Sequence, residues 1–138
     1  MQADFVFKDG IYLVKDSYEL DLHNDFDFED VFYSVAERRV ALRWKRSTGE
    51  WVRAEAALSV QIEFFEVADF RFFPRDREMP FTEDDCLSEA GYWTDAEWCN
   101  GVFISDEPPD QAWLTAFGFM SGAMIAIGAE RARAIIQT

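Results

Sequence analysis

Apart from its carboxylates, the chain holds few residues that could take part in acid–base or metal chemistry. His23 is its only histidine, and an imidazole can act as a general base or a metal ligand near neutral pH. It follows the alternating segment Tyr18 to Leu22, so we expect it at the polar end of a strand, exposed and without a catalytic role. A Ser-His-Asp triad would require His23, and the chain has no Gly-x-Ser-x-Gly sequence to mark a nucleophile.

The two cysteines, Cys86 and Cys99, do not complete a metal site. A structural zinc ion needs four Cys or His ligands, and His23 brings the total to only three. Asp84 and Asp85 precede Cys86, and their negative charge would raise the pKa of its thiol. We therefore expect Cys86 to be a buried, unreactive thiol.

Carboxylates alternate with phenylalanines between Asp25 and Glu29. A calcium ion takes about six to eight oxygen ligands, which clustered carboxylates can supply. The EF-hand pattern fails, because Asp30 stands where the required glycine would be, counted from Asp25. Since a half-exposed strand gives the same alternation, we predict a strand and no metal site. The carboxylates that could contribute to such a site are those of Asp21, Asp25, Asp27, Glu29 and Asp30.

Cofactor motifs are also missing from the sequence. It has neither Gly-x-Gly-x-x-Gly nor the phosphate-binding Gly-x-x-x-x-Gly-Lys, and its carboxylates show no spacing typical of glycoside hydrolysis. No cofactor is predicted. An enzyme that acts on a small molecule or uses a metal is kept only as an alternative.

Charge is distributed unevenly along the chain. The formal net charge is −14, and the acid-only segment from Glu78 to Glu130 has 11 acidic residues and no Lys or Arg. Six of the 13 basic residues lie between Arg38 and Arg53. A surface of this kind repels phosphates and anionic lipids and attracts cations, so we expect a basic protein partner, no nucleic acid and no membrane.

Length and end sequence give further expectations. A chain of 138 residues predicts one domain spanning 1–138. Its N-terminus has neither a basic start nor an apolar core, which is not typical of a secretory signal. The longest weakly polar run, Phe117 to Ala129, is shorter than the ~20 residues of a spanning helix. We therefore expect a cytoplasmic protein with reduced cysteines.

Alternation of apolar and polar residues dominates the first two-thirds of the chain and predicts strands. In the clearest case Val40, Leu42 and Trp44 share one face, with a turn at Ser47 to Gly49 and a return strand from Trp51 to Ala54. The Asp9-Gly10 pair marks a hairpin turn near the N-terminus.

The pattern changes after Phe81. Thr82 is a good N-cap, acidic residues suit the first turn of a helix, and Gly91 suits its end, so we predict a helix over Glu83–Ala90. Residues 122–136 are rich in Ala, but their Gly and Ile content favours strands over a helix. The sequence thus predicts a mainly β fold with about nine strands, either an antiparallel β-sandwich or a strongly bent sheet, and one short helix.

The leading functional hypothesis is a non-catalytic acidic domain that binds a basic protein. Tryptophans beside loops of the acid-only segment would supply apolar anchors, although the same residues would equally serve as lids on the core. In size, charge and lack of a signal, the chain resembles the small acidic immunity proteins that bacteria make against basic nuclease toxins, which implies a role in neutralising such a partner. The predicted partner-binding residues are Glu83, Asp84, Asp85, Trp93, Asp95, Glu97, Trp98, Asp106, Glu107, Asp110 and Trp113.

The alternative from a different class is a self-associating structural domain. A basic face on one predicted hairpin would complement the acid-only segment of another copy, which predicts a homo-oligomer. The residues of this basic face are Arg39, Arg43, Lys45 and Arg53.

Overall fold

The computed structural model describes residues 1–95, 103–104, 107–108 and 110–138. These residues form ten strands and one 3-10 turn, and contain no α-helix. The mainly β fold is therefore confirmed. The elements are β1 (Gln2–Ala3), β2 (Val6–Lys8), β3 (Tyr12–Lys15), β4 (Tyr18–Asp21), β5 (Phe26–Ser34), β6 (Arg39–Arg46), β7 (Ser59–Phe73), the 3-10 turn Phe81–Glu83, β8 (Leu87–Trp93), β9 (Leu114–Phe119) and β10 (Met124–Gln137).

Two long antiparallel strands form the centre of the main sheet. β7 has 15 residues and β10 has 14, and the two pair along almost their whole length. β6 and then β5 extend the sheet from the first half of β7, whereas β9 and then β8 extend it from the opposite end of this ribbon. The register shifts between Gly128 and Ala129, and a bulge increases the local twist. The sheet curls into a half-barrel, which confirms the predicted strongly bent sheet.

A small sheet made of β2, β3 and β4 packs on the core side of the half-barrel. Its first hairpin turns where the sequence predicts, with positive φ angles of 53° at Asp9 and 75° at Gly10. Phe7 of this sheet is buried, and its ring lies 5.7 Å from the ring of Phe117 in β9. The main hydrophobic core therefore lies between the two sheets.

Strand β6 shows how the alternation is used. Val40, Leu42 and Trp44 are fully buried, whereas Arg43 and Lys45, which point to the other face, are exposed. In the register with β7, Leu42 lies opposite Ile62. Strand β6 therefore has the two faces that the sequence predicts.

The opposite face of the main sheet carries a second apolar cluster. Trp93, Leu114, Ala116 and Ala126 are buried there, and Phe73 packs against them. Small residues in adjacent strands, such as Ala116 opposite Ala126, allow large rings to lie close to the sheet.

The helix predicted over Glu83–Ala90 is wrong. A 3-10 turn ends at Glu83, and β8 begins at Leu87 and pairs with β9. A register shift between Leu87 and Glu89 inserts one extra residue, so the buried Leu87 and Ala90 stand three apart. A bulge thus imitates helical spacing in a strand. None of the described residues belongs to a helix long and apolar enough to cross a membrane.

Two further expectations meet different outcomes. Residues 124–137 form a strand, as their Gly and Ile content favours. The return strand predicted from Trp51 to Ala54 is wrong, because β7 begins only at Ser59. The guanidinium of Arg46 donates hydrogen bonds to the carbonyls of Arg53 and Ala54, at 3.1 and 3.4 Å, and holds this segment as a loop.

Candidate functional site

A groove opens between the start of β5, the end of β7 and the 3-10 turn. Its volume is about 530 Å³. The side chains on its floor are those of Phe28, Phe119, Ala123 and Ile125. Ile125 and Phe119 are buried residues of the main core, so the groove reaches the inner side of the half-barrel.

Main-chain and ring contacts fix the position of the groove floor. The N–H of Phe28 donates a 2.9 Å hydrogen bond to the carbonyl of Asp85, which joins β5 to the segment before β8. The ring of Phe28 lies 4.8 Å from that of Phe119 and 5.0 Å from that of Trp44. Because these neighbours belong to the core, we expect the groove floor to be rigid.

Two aromatic side chains on the groove wall face solvent. Phe72 is 59% exposed and Phe81 is 81% exposed. The guanidinium of Arg75 lies 4.6 Å from the centre of the Phe81 ring and donates to the carbonyl of Met79 at 2.7 Å. Large apolar rings exposed beside a concave surface are typical of interaction sites.

Three carboxylates, those of Glu29, Asp84 and Asp85, also line the groove. Asp84 accepts a 2.9 Å hydrogen bond from Arg75, which lowers the pKa of its carboxyl group. Burial raises the pKa of Asp85, and repulsion from Asp27 raises it further. Among the described residues neither Glu29 nor Asp85 has a contact ion pair, although the more distant charge of Lys45 favours the ionised form of Asp85.

The predicted partner-binding residues that the structure describes do not form one patch. Asp84 and Asp85 line the groove, and Glu83 is next to them, where its charge also raises the pKa of Asp85. Trp93 belongs to the second apolar cluster and is only 9% exposed. Asp95 is exposed and pairs with Arg71 at 3.0 Å.

The remaining predicted residues belong to the segment before β9. Glu107 and Asp110 are exposed, and Trp113 is half-buried against both apolar clusters. The carboxylate of Asp110 accepts a hydrogen bond from the N–H of Ala112, so it has a local structural partner. The other three predicted residues, Glu97, Trp98 and Asp106, lie outside the described residues.

Much of the charge of the predicted basic face is satisfied within the chain. Arg39 pairs with Glu63, Arg43 donates to Asp30 at 2.7 Å, and Arg53 donates to Asp25 at 2.8 Å. Lys45 is exposed. Three of the four cations therefore have intramolecular partners, and self-association through this face stays a prediction.

Sequence reasoning missed the aromatic part of the groove. The run Phe70-Arg71-Phe72-Phe73-Pro74 has the pattern of a short strand that the proline ends, and Phe81 follows a stretch without periodicity. The sequence did contain one signal, which is the presence of phenylalanines on both faces of this strand. Such a strand either buries both faces or leaves one ring exposed to solvent. Phe73 packs in the second cluster, whereas Phe72 faces the groove.

Within the described part of the chain, His23 and Cys86 are the one pair of residues that invites a catalytic interpretation. The thiol sulfur lies 3.7 Å from Nδ1 of His23, and Nδ1 lies 2.5 Å from the carbonyl oxygen of Leu87. That oxygen can only accept a hydrogen bond, so Nδ1 carries the proton and cannot take one from the thiol. The described residues contain no group of three or more His, Cys, Asp or Glu that could hold a metal ion.

The Cys86 thiol should react slowly with alkylating reagents. Burial, and next the charge of Glu83, raise its pKa, so the thiolate fraction at neutral pH is smaller than for a free cysteine. In a Cys99→Ser variant, the iodoacetamide rate should still be rising with pH above about 8.5, the pKa of a free thiol. A rate that levels off below neutral pH would instead indicate an activated thiolate. The matched Cys86→Ser variant reports the reactivity of Cys99.

The groove, with its exposed rings and two unpaired carboxylates, is thus the best candidate for a functional site among the described residues. Comparison of the chain with protein-family models, curated proteins and solved structures found no match in any of the three.

Proposed function

We propose that this protein is a non-catalytic binding domain whose groove receives a basic protein partner. The observation that carries the proposal is the presence of two exposed rings, Phe72 and Phe81, beside the unpaired carboxylate of Asp85. A partner with a large apolar side chain next to a Lys or Arg would satisfy both features. Binding such a partner would neutralise its basic surface, as the resemblance to acidic immunity proteins implies.

Apolar contact would supply most of the affinity. The packed rings of Phe28 and Phe119 already form the groove floor, so little ordering of the floor is needed before a partner side chain contacts it. Burying apolar surface is worth roughly 25 cal/mol per Å², and aromatic residues are among those that dominate binding energy in protein interfaces.

Charge would supply specificity and a faster rate of association. The net charge of −14 attracts a basic partner from a distance. Close to the groove, a cation placed between Glu29 and Asp85 would offset the repulsion that Asp27 and Glu83 exert on Asp85. Arg75 is not available for this purpose, because Asp84 and two main-chain carbonyls hold it.

Binding to a panel of basic nucleases, measured by calorimetry, tests the proposal. For any nuclease that binds, we expect Phe81→Ala to weaken Kd about tenfold or more, as at other aromatic anchors. Asp85→Asn should weaken binding and reduce its dependence on salt between about 50 and 300 mM. The matched control is Glu107→Gln, which removes an exposed acid away from the groove and should leave Kd unchanged.

Folding does not confound the Asp85 variant. The pKa of Asp85 is raised in the folded state, so its contribution to stability is present at low pH and is lost as pH rises through that pKa. Asparagine carries no charge, and Asp85→Asn should be no less stable than the wild type at neutral pH in thermal unfolding.

If no basic nuclease binds, or if Glu107→Gln abolishes binding while Phe81→Ala does not, the groove is not the partner site. If a small apolar amine alone binds tightly, the ligand of the groove is a small molecule and not a protein.

A further inference from the structure

Strand β5 ends the main sheet on one side, and its second half is uncovered. Among the described residues β5 pairs with β6 only. On its other side, the one main-chain hydrogen bond is the one that the N–H of Phe28 donates to the carbonyl of Asp85. The edge from Asp30 to Ser34 therefore presents main-chain donors and acceptors to solvent. Phe32 is 63% exposed and Tyr33 is 41% exposed along this stretch.

The other edge of the sheet is treated differently. On β8 the N–H of Ala90 donates to the carbonyl of Gly10 at 2.6 Å, and Tyr92 exchanges two main-chain hydrogen bonds with Ile104. Proteins protect edge strands by such cover, by Lys or Pro, or by bulges. A register shift at Glu29 interrupts the start of β5, but residues 30–34 contain no Lys, no Pro and no cover from a described residue.

We infer that the β5 edge from Asp30 to Ser34 pairs antiparallel with the same edge of a second copy, giving a two-fold dimer with one continuous sheet. An antiparallel edge is complementary to itself, as the shared surface of a two-fold dimer must be. Pairing centred on Phe32 places this ring against its own copy and Val31 opposite Tyr33. Both are apolar or aromatic pairs, which stabilise antiparallel strands.

The distribution of charge along β5 supports a second copy as the occupant. Asp30 is the one charged residue from Asp30 to Ser34, and it pairs with Arg43 of the same chain. In a pairing centred on Phe32, Asp30 lies opposite Ser34 of the second copy, so no like charges face each other across this stretch. This surface differs from the basic face predicted from the sequence, whose arginines pair within the chain.

Sedimentation equilibrium of the full chain, up to about 100 µM, tests the dimer at concentrations well above a micromolar Kd. The wild type should have twice the mass of the chain, and Phe32→Lys should have the mass of a monomer. Phe72→Lys is the matched control, because Phe72 is also exposed, at 59%, but lies on β7. It should leave the dimer intact, and so should Phe81→Ala, which separates this inference from the proposed groove.

Crosslinking gives a second test that does not depend on the stability of Phe32→Lys. In a Cys86→Ser, Cys99→Ser background, Phe32→Cys should form an intermolecular disulfide on mild oxidation, since residues opposite each other across antiparallel strands have Cα atoms about 4.5–5.5 Å apart. Val35→Cys, 73% exposed in the following turn, should not. A monomeric wild type, a dimer unaffected by Phe32→Lys, or equal crosslinking of both cysteine variants would overturn the inference.

Discussion

Replacing Trp44 with alanine should lower the free energy of unfolding by about 3–5 kcal/mol, the range for deleting a large buried ring. Trp44 is fully buried, and its ring lies 5.0 Å from that of Phe28 and 5.6 Å from that of Phe117. It therefore contacts residues from both arms of the curled sheet. Phe117 is held between β8 and β10, and Phe28 is held by β6 and by its hydrogen bond to Asp85, so both can move little to fill the space. Urea unfolding at neutral pH measures the loss.

A smaller change at the same position separates packing from hydrogen bonding. Nε1 of Trp44 is buried and has no hydrogen-bond partner among the described residues, and such a group costs free energy in the folded state. Trp44→Phe removes this group while keeping one ring, so the expected loss is below about 1.5 kcal/mol. Equal losses in the two variants would show that the Nε1 group is satisfied after all. Trp51→Ala serves as the surface control, because Trp51 is 68% exposed.

The success at Trp44 shows what a local pattern can predict. Val40, Leu42 and Trp44 recur at every second position of an uninterrupted strand that also carries Arg39, Arg43 and Lys45, so period two assigns both the strand and its buried face. In β8 the same rule fails. The extra residue between Leu87 and Glu89 shifts the period, and pairing with β9, more than 20 residues away along the chain, decides the outcome against local capping signals.

The candidate site was predictable only in its charges. Asp84 and Asp85 stand out in the sequence as part of an acidic run, and they do line the groove. The exposure of Phe72 could not be predicted in this way, because it depends on how far the curl of the main sheet separates β5 from the end of β7. For Trp93 the sequence leaves an exposed anchor and a lid on the core equally open, and the second apolar cluster buries it. Exposure of a ring is decided by contacts distant in sequence, which no local pattern contains.

A buried carboxylate on the outer side of the main sheet leads to the other large prediction. The side chain of Glu63 in β7 is 2% exposed, and it accepts hydrogen bonds from Arg39 and Arg133 on the two adjacent strands. Both guanidinium groups also lie near the Phe65 ring, at 5.6 and 5.3 Å from its centre. The two arginines thus compensate the buried charge and cover the ring.

Replacing only the two arginines should lower the free energy of unfolding far more than replacing the arginines together with Glu63. The variant Arg39→Met, Arg133→Met keeps apolar contact with Phe65 but leaves the Glu63 carboxylate buried without a partner, and should lose about 3–5 kcal/mol of unfolding free energy. Adding Glu63→Leu should restore most of the loss, because apolar side chains of similar volume can replace a buried ionic cluster. Each single arginine variant should lose less, since one guanidinium still contacts Glu63. Urea unfolding of the four variants measures these values; a triple variant no more stable than the double would mean that the arginines act by packing on Phe65 and not by compensating charge.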